Sequence, residues 1–497
     1  MYLGIILLYL LLSSIAAFFV KNKSWQFSLV TTIVAFLAVS AFTIGFFVSG
    51  YTGGFVSPES YAIPGAPGIS FSIAASGFTA PLIVVSSIVF LAAVLVSRKD
   101  HYSPAFFALL LFAEFGMFGL LLSRDFLFFY VFWEVVLIPV YFMMSRYARD
   151  GGRTSLKFFV YTQVGSIFML LSIFSLYSYY DINYGTVTLS ISSLMSNSFF
   201  NILSPFERDF IFFGFFLAFL VKMPSFPVHA WFPDSYERSP YPVTIILTGS
   251  LSMMGGYGFF GILLPLWKFL RGDLSDILIA LGIISIVYFA FVAMFQVNLK
   301  RMMSYASAAA MGFVTLSFGS GIAALSAIDI TKPNSNAIDL SGGMFQMVAH
   351  ALIMVLIFSV LYFIMKNTGR ESVYDLGGIY REAPRLSSLF LLGLLASLGL
   401  PGLAGFIGEF SIVVGSYTYI TYIIFIVILG MLITASYHIW SAQRTLYGPY
   451  NETIGAISDV NVMEFALLLM LGVLIVVLGL FPNLFYGLFL HYLGGIA

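Results

Sequence analysis

Fourteen runs of about 20 predominantly apolar residues follow one another along this chain, at roughly 2–20, 26–48, 76–96, 104–122, 126–145, 157–178, 210–229, 241–267, 275–297, 303–327, 342–365, 386–416, 419–442 and 463–490. A helix of about that length crosses the roughly 30 Å hydrocarbon core of a bilayer. It also satisfies its own backbone hydrogen bonds there, which lipid cannot do for it. A soluble domain has no place for so many such runs. Of the 497 residues, 60% are apolar and only 9% charged, against about 25% charged in ordinary soluble domains. The expected fold is an all-α polytopic membrane protein of about 14 transmembrane helices.

Lysine and arginine mark the sides of such a protein, being concentrated in cytoplasmic loops. With the N-terminus outside, the inner loops hold sixteen of the 22 lysines and arginines, and the outer loops hold Arg124, Arg208, Lys268, Arg271 and Lys332. Lys222 alone is left in the membrane. Both termini are therefore expected outside. Basic residues follow the first run, at Lys21 and Lys23, instead of preceding it, so it is expected to be retained as a span and not cleaved as a signal. The longest soluble stretches, near 49–75, 179–209, 366–385 and 443–462, are too short to bury cores of their own. Residues 1–497 are expected to form a single membrane domain: N-terminal spans to 100, then 104–267, 275–442, and a last span at 463–490.

Two of the runs carry interior breaks, at Pro224 and Pro227 and at Pro401 between Gly399 and Gly402. Broken helices free backbone groups, which a membrane tolerates only where protein or water satisfies them. The breaks lie five spans apart, which predicts two inverted five-helix repeats, spans 4–8 and 9–13, each with one broken helix. An ordinary proline kink would account for either break alone.

The function classes that composition excludes are broad. Net charge is zero, so nothing points to nucleic acid, and there is no cysteine to hold a disulfide, an iron–sulfur cluster or a thiolate zinc site. The five histidines, at 101, 229, 350, 438 and 491, show no metal or haem spacing. No cofactor and no metal are expected on this chain.

Four charged residues sit well inside spans: Glu114, Glu134, Lys222 and Glu409. Each costs about 2.5–3.5 kcal/mol at the bilayer centre on the lenient insertion scale, so each needs a partner, water or a use. Glu114 and Glu134 flank the turn at Arg124–Asp125 by about ten residues, placing both about 15 Å deep. His350, counted from Asp339, reaches a similar depth. Lys222 immediately precedes a break and Glu409 follows one. Acid, base, imidazole and acid at compatible depths on different helices are what a proton relay in the membrane plane requires. A static Glu134–Lys222 ion pair, a neutral hydrogen-bonded His350, and a packing or gating role for Glu114 are the structural alternatives.

The run Phe132-Trp133-Glu134-Val135-Val136-Leu137-Ile138-Pro139-Val140-Tyr141 resembles a motif of the chain M (subunit 4) family, the antiporter-like proton-translocating membrane subunits of respiratory complex I (NADH-quinone oxidoreductase). Further likenesses follow in order at Gly151-Gly152-Arg153, Lys157 to Gln163, Val221-Lys222-Met223-Pro224 with Pro227, His229, Trp231, Pro233 and Asp234, Lys300-Arg301, Met311-Gly312, Met347 to His350, Gly399 to Gly402, and Phe406 to Phe410. The resemblance covers about 100–450. It implies that Glu134 pairs with Lys222 and that His350 and Glu409 continue the relay outward, with Glu114, His229 and Lys300 as further candidates. It also implies, as partners, other antiporter-like and small membrane subunits and the lipid bilayer. The expected location is a prokaryotic cell membrane, and no small-molecule substrate is expected beyond protons, with sodium as the alternative ion.

The chain departs from the family pattern in the middle of the relay. Met253 stands where a lysine is expected before Tyr257-Gly258, and Gly261 where an arginine is usual just after that pair. Ala310 replaces the histidine before Met311-Gly312, and Asn298 the aspartate before Lys300. Ser250, Ser252 and Ser304 are the hydroxyls expected to support a water bridge across that gap. The other readings are a subunit of a multi-chain Na+/H+ antiporter or membrane-bound hydrogenase, and a non-conducting structural subunit.

Overall fold

The computed structural model describes residues 2–48, 56–65, 68–100, 102–150, 152–269, 272–326, 335–455 and 457–495. His101, Gly151, Arg271 and Lys332, which entered the sequence reading, lie outside the described residues. Twelve helices among the described residues are long and apolar enough to cross a membrane. Two expected runs fall short for legible reasons. Pro205–Lys222 carries Glu207, Arg208, Asp209 and Lys222. The run at 386–416 is divided into Pro384–Ser397 and Ala404–Ile420.

Burial separates the centre of the molecule from its rim. The most apolar stretch of Ala337–Thr368 is 100% buried, and those of Thr79–Val96 and Tyr241–Phe269 are 94% buried. Ser24–Val48 and Ile424–Tyr447 are 33% buried, with the rest of their apolar surface turned outward. A helix that is apolar all round must meet either protein or lipid, and here the two kinds sort into core and periphery. The largest buried cluster runs from Leu3 to Leu493.

Several elements differ from the sequence expectation. The seventh run was expected to reach 229, but its helix stops at Lys222, because Pro224 can donate no backbone hydrogen bond, and the chain turns irregularly before the short helix Phe232–Arg238. The run at 241–267, read as one span, forms Tyr241–Phe269 and contains two π-helical segments, Leu247–Leu251 and Gly258–Leu263. Wider turns of this kind re-aim side chains inside a helix and concentrate at functional sites. The last run, expected over 463–490, ends as Val462–Leu480 and resumes as Asn483–Gly494 after Pro482. A small antiparallel hairpin, Val56–Ala62 with Ser70–Ala75, adds two strands to an otherwise helical chain. Its Glu59 accepts a hydrogen bond of 2.9 Å from the Leu3 backbone N–H at the start of the first helix.

Candidate functional site

Lys222 closes its helix at the break. The Val221 carbonyl, which the break would leave free, accepts a 3.0 Å bond from the Trp231 indole. The lysine is 2% exposed, and its Nζ has no hydrogen-bond partner. It lies 5.5 Å from the ring centre of Trp133 and 6.0 Å from that of Phe158. Two aromatic faces and the negative end of a helix dipole thus favour an ammonium there.

Glu134 comes from Phe126–Tyr147, on the same stripe as the exposed Val131 and Ile138. It is partly buried, interacts with the Tyr130 hydroxyl one turn away, and has one oxygen, Oε1, without a partner. Its charge acts on Lys222. The two do not touch, since the Lys222 ammonium bonds nothing. The pairing implied by resemblance is therefore an attraction across space in this conformation, with the glutamate at the lateral rim and the lysine inside. Glu114 is fully buried on Pro104–Leu122, and neither of its oxygens has a hydrogen-bond partner.

His350 lies on the buried helix Ser335–Thr368. Its Nε2 is 3.2 Å from Ser307 Oγ, which is 3.1 Å from Thr248 Oγ1, while Nδ1 has no partner. Thr248 belongs to the first π-helical segment. The hydroxyls that reach the histidine are thus not the three expected from sequence. Ser252 and Ser304 bond carbonyls of their own helices, and Ser250 pairs with Ser86 at 3.2 Å. Ala310 and Met253 leave no polar group at their own positions, and Thr248 and Ser307 supply one between them.

Glu409, 5% exposed, stands on Ala404–Ile420 just beyond the second break and folds back over Gly399. The buried Tyr437 hydroxyl, beside the Thr434 side chain, senses its charge. His229 sits in the first break with its ring centre 4.8 Å from that of Phe289 and 5.8 Å from that of Phe226, and among the described residues no hydrogen bond joins it to Lys222.

Lys300 is buried near one membrane face. Its Nζ donates to the Ser239 carbonyl and lies 4.1 Å from the Tyr241 ring centre. Two carboxylates act on it, Glu371 from a distant loop and, more weakly, Glu237. Glu371 is gripped by Arg149 through both oxygens, by Tyr241 Oη at 3.0 Å and by Asn298 Nδ2 at 3.1 Å. Burial alone would raise Glu371, but the Arg149 hydrogen bonds and the charges of Lys300 and Arg149 outweigh it and hold the carboxyl below its usual range. Asn298, which stands where an acid was expected, holds the substitute acid in place. Lys157 and Arg301 share Asp234, at 2.7 and 3.3 Å, and Arg238 bonds Asp150 at 2.8 Å. This network ties together loops that the sequence placed on the basic side.

Among the described residues, no cluster of three or more histidines and acids is arranged to hold a metal. Sequence reasoning passed over Glu371, Thr248, Ser307, Tyr437 and the buried Asp339, which had served only to measure depth. Asp339 could have been found, because it lies eleven residues before His350 on the same helical face. Nothing local in the sequence announces Glu371.

Residues 123–434 match the family described as NADH:quinone oxidoreductase/Mrp antiporter, TM. The chain is 35% identical over 423 residues to the F(420)H(2) dehydrogenase subunit M of Methanosarcina mazei, covering 84% of this chain and 82% of that one. It is 30% identical over 478 residues to the NADH-quinone oxidoreductase subunit M of Rickettsia prowazekii, covering 94% and 92%. Its fold is similar to a chain in the structure of respiratory complex I from Thermus thermophilus with bound NADH, with a TM-score of 0.87, 23% identity and 100% of both chains covered. The likeness in sequence spans both helix breaks and all four residues of the expected relay. This multi-pass membrane protein belongs to the NADH:quinone oxidoreductase/Mrp antiporter membrane family.

Proposed function

We propose that this chain is a proton-translocating subunit in the membrane arm of a complex I-like oxidoreductase, moving protons outward as electrons pass through other subunits. It carries no redox centre in this reading, and its partners are other antiporter-like and small membrane subunits. The observation that carries the reading is Lys222: a buried amine with no hydrogen-bond partner, at a helix break, within reach of the field of a glutamate on the lateral rim. A permanent structural ion pair would be in contact. An amine that must gain and lose a proton is better served by a partner that approaches and withdraws.

Glu134 near Lys222 favours the ammonium, and its withdrawal toward a neighbouring subunit leaves a desolvated lysine that releases its proton. The proton then moves by ordered water, Thr248, Ser307 and His350 to Glu409. Lys222 reloads from the basic face, where Lys300 and Glu371 lie. That face is assigned to the cytoplasm by the lysine and arginine bias, with both termini outside and the protein in the cell membrane of a prokaryote. The two broken helices support the inverted-repeat arrangement, with 104–267 and 275–442 as its halves within one membrane domain. Glu134→Gln in the whole complex, reconstituted in vesicles, tests the reading. It should lower proton movement per electron transferred, and an unchanged ratio would remove Glu134 from the path.

A second reading, a non-conducting structural subunit, is favoured by the apolar Met253, which is fully buried in the middle of the relay. Met253→Lys discriminates. A working but slow channel should speed up, and a purely structural subunit should gain no flux.

A further inference from the structure

Eleven residues and about 16 Å along the helix axis from His350 lies a carboxyl that the relay above does not use. Asp339 is 1% exposed. Its Oδ2 accepts from Ser320 Oγ at 2.5 Å, its backbone carbonyl accepts from Ser317 Oγ at 2.7 Å, and its Oδ1 has no partner. Among the described residues no lysine, arginine or histidine acts on it. An ionised carboxylate buried with only the hydroxyls of Ser320 and Ser317 beside it and no cation is costly, so the site suits a group that holds a proton.

Its position gives that proton somewhere to come from. His350, Gln346 and Asp339 recur at spacings of four and seven residues, which puts them on one face of Ser335–Thr368. Gln346 Oε1 is buried without a partner. Facing this stripe, Ser307 meets His350, and Ser317 meets both Gly343 and Asp339. From the Glu409 helix, Gly408 lies against Gln346 and Gly415 against Asp339. The stripe therefore leads from the histidine, past the residue beside Glu409, toward the face opposite the Arg149–Glu371 network. At its end the Tyr486 hydroxyl bonds the Ile338 carbonyl at 2.9 Å, and this last helix covers the acid. The groups facing Asp339 are thus Ser317 and Ser320, Gly415 on the Ala404–Ile420 helix, and Tyr486, which also meets Ser411, while Glu409 stands farther along that helix, next to Gly408.

We infer that Asp339 is a proton-holding site at the outer end of this seam, receiving protons that have passed His350 and Glu409 and delivering them to the opposite face. The inference rests on the proton-translocating reading and extends it by one residue. Asp339→Asn tests it in the whole complex reconstituted in vesicles. Asparagine keeps an oxygen for Ser320 but cannot take up a proton at the pH of the assay.

Electron transfer should persist, protons moved per electron should fall to the value of Glu134→Gln, and Asp339→Glu should restore them. Ser320→Ala, which removes only the hydrogen bond, should keep more than half of the wild-type ratio. If Asp339→Asn does not assemble, Asp339→Ser, which leaves space and a hydroxyl oxygen, takes its place with the same expectation. A wild-type ratio in Asp339→Asn beside a lowered one in Glu134→Gln overturns the role of Asp339 and leaves the relay standing. Wild-type ratios in both overturn the relay itself.

Discussion

The Glu409 carboxylate lies over Gly399: a Cβ added at that glycine would meet Glu409 Oε2 at 2.7 Å, and the backbone there has φ +76°. The break in the helix and the acid of the relay are therefore one device. A residue without a side chain lets the backbone take its left-handed turn and leaves the space that the carboxylate fills.

Gly399→Ala should thus act twice. The left-handed backbone costs about 1–2 kcal/mol for a residue with a Cβ, and the methyl displaces Glu409. Gly402, with φ +91° and nothing within 4 Å, provides the control. Both alanine variants should lower the thermal stability of the complex by similar amounts, but only Gly399→Ala should lower protons moved per electron.

The hydroxyl chain from Thr248 through Ser307 to His350 is open to a similar test. Ser307→Ala removes its middle member without changing helix packing. Proton flux should fall by about tenfold, the equivalent of ~1.4 kcal/mol and near the upper end for one lost hydrogen bond, while Ser307→Thr should retain most of it. Flux equal to wild type in the alanine variant would mean that protons bypass the hydroxyls.

On the basic face the pH dependence has a definite sign. Glu371 is held below its ordinary value of 4.5, and Asp234 and Asp150 below theirs of 3.8. Carboxyls depressed in the folded state contribute stability that is complete above those values and is lost as pH falls through the lowered ones. Glu371→Gln should therefore destabilise the complex at pH 7 by about 1 kcal/mol, a modest figure because Arg149 is half exposed to screening solvent. The gap between variant and wild type should close in acid below pH 4.5. Melting curves across pH check both statements.

Much of the architecture was legible because lipid imposes a simple rule. Long apolar runs became helices, and Pro224 and Pro401 broke theirs where expected. Charges too costly to expose to lipid marked Lys222 and Glu409 as buried. What escaped were relationships that only tertiary packing creates. Glu371 compensates for Asn298 across 73 residues, and no local pattern carries such information. The π-helical turn that presents Thr248 leaves no mark in an apolar sequence, because hydrophobic periodicity is silent where every face is buried. Glu134 and Lys222 were expected to act as a pair, and in this conformation they stand apart, a matter of side-chain position that spacing along the chain cannot encode.

That separation is the heart of the account, and Lys222→Met probes it most directly, since methionine fills similar space between Trp133 and Phe158 without a charge. Proton movement per electron, measured in vesicles holding the whole complex, should drop while electron transfer continues. A methionine variant that moves protons at the wild-type ratio would show that nothing passes through this lysine.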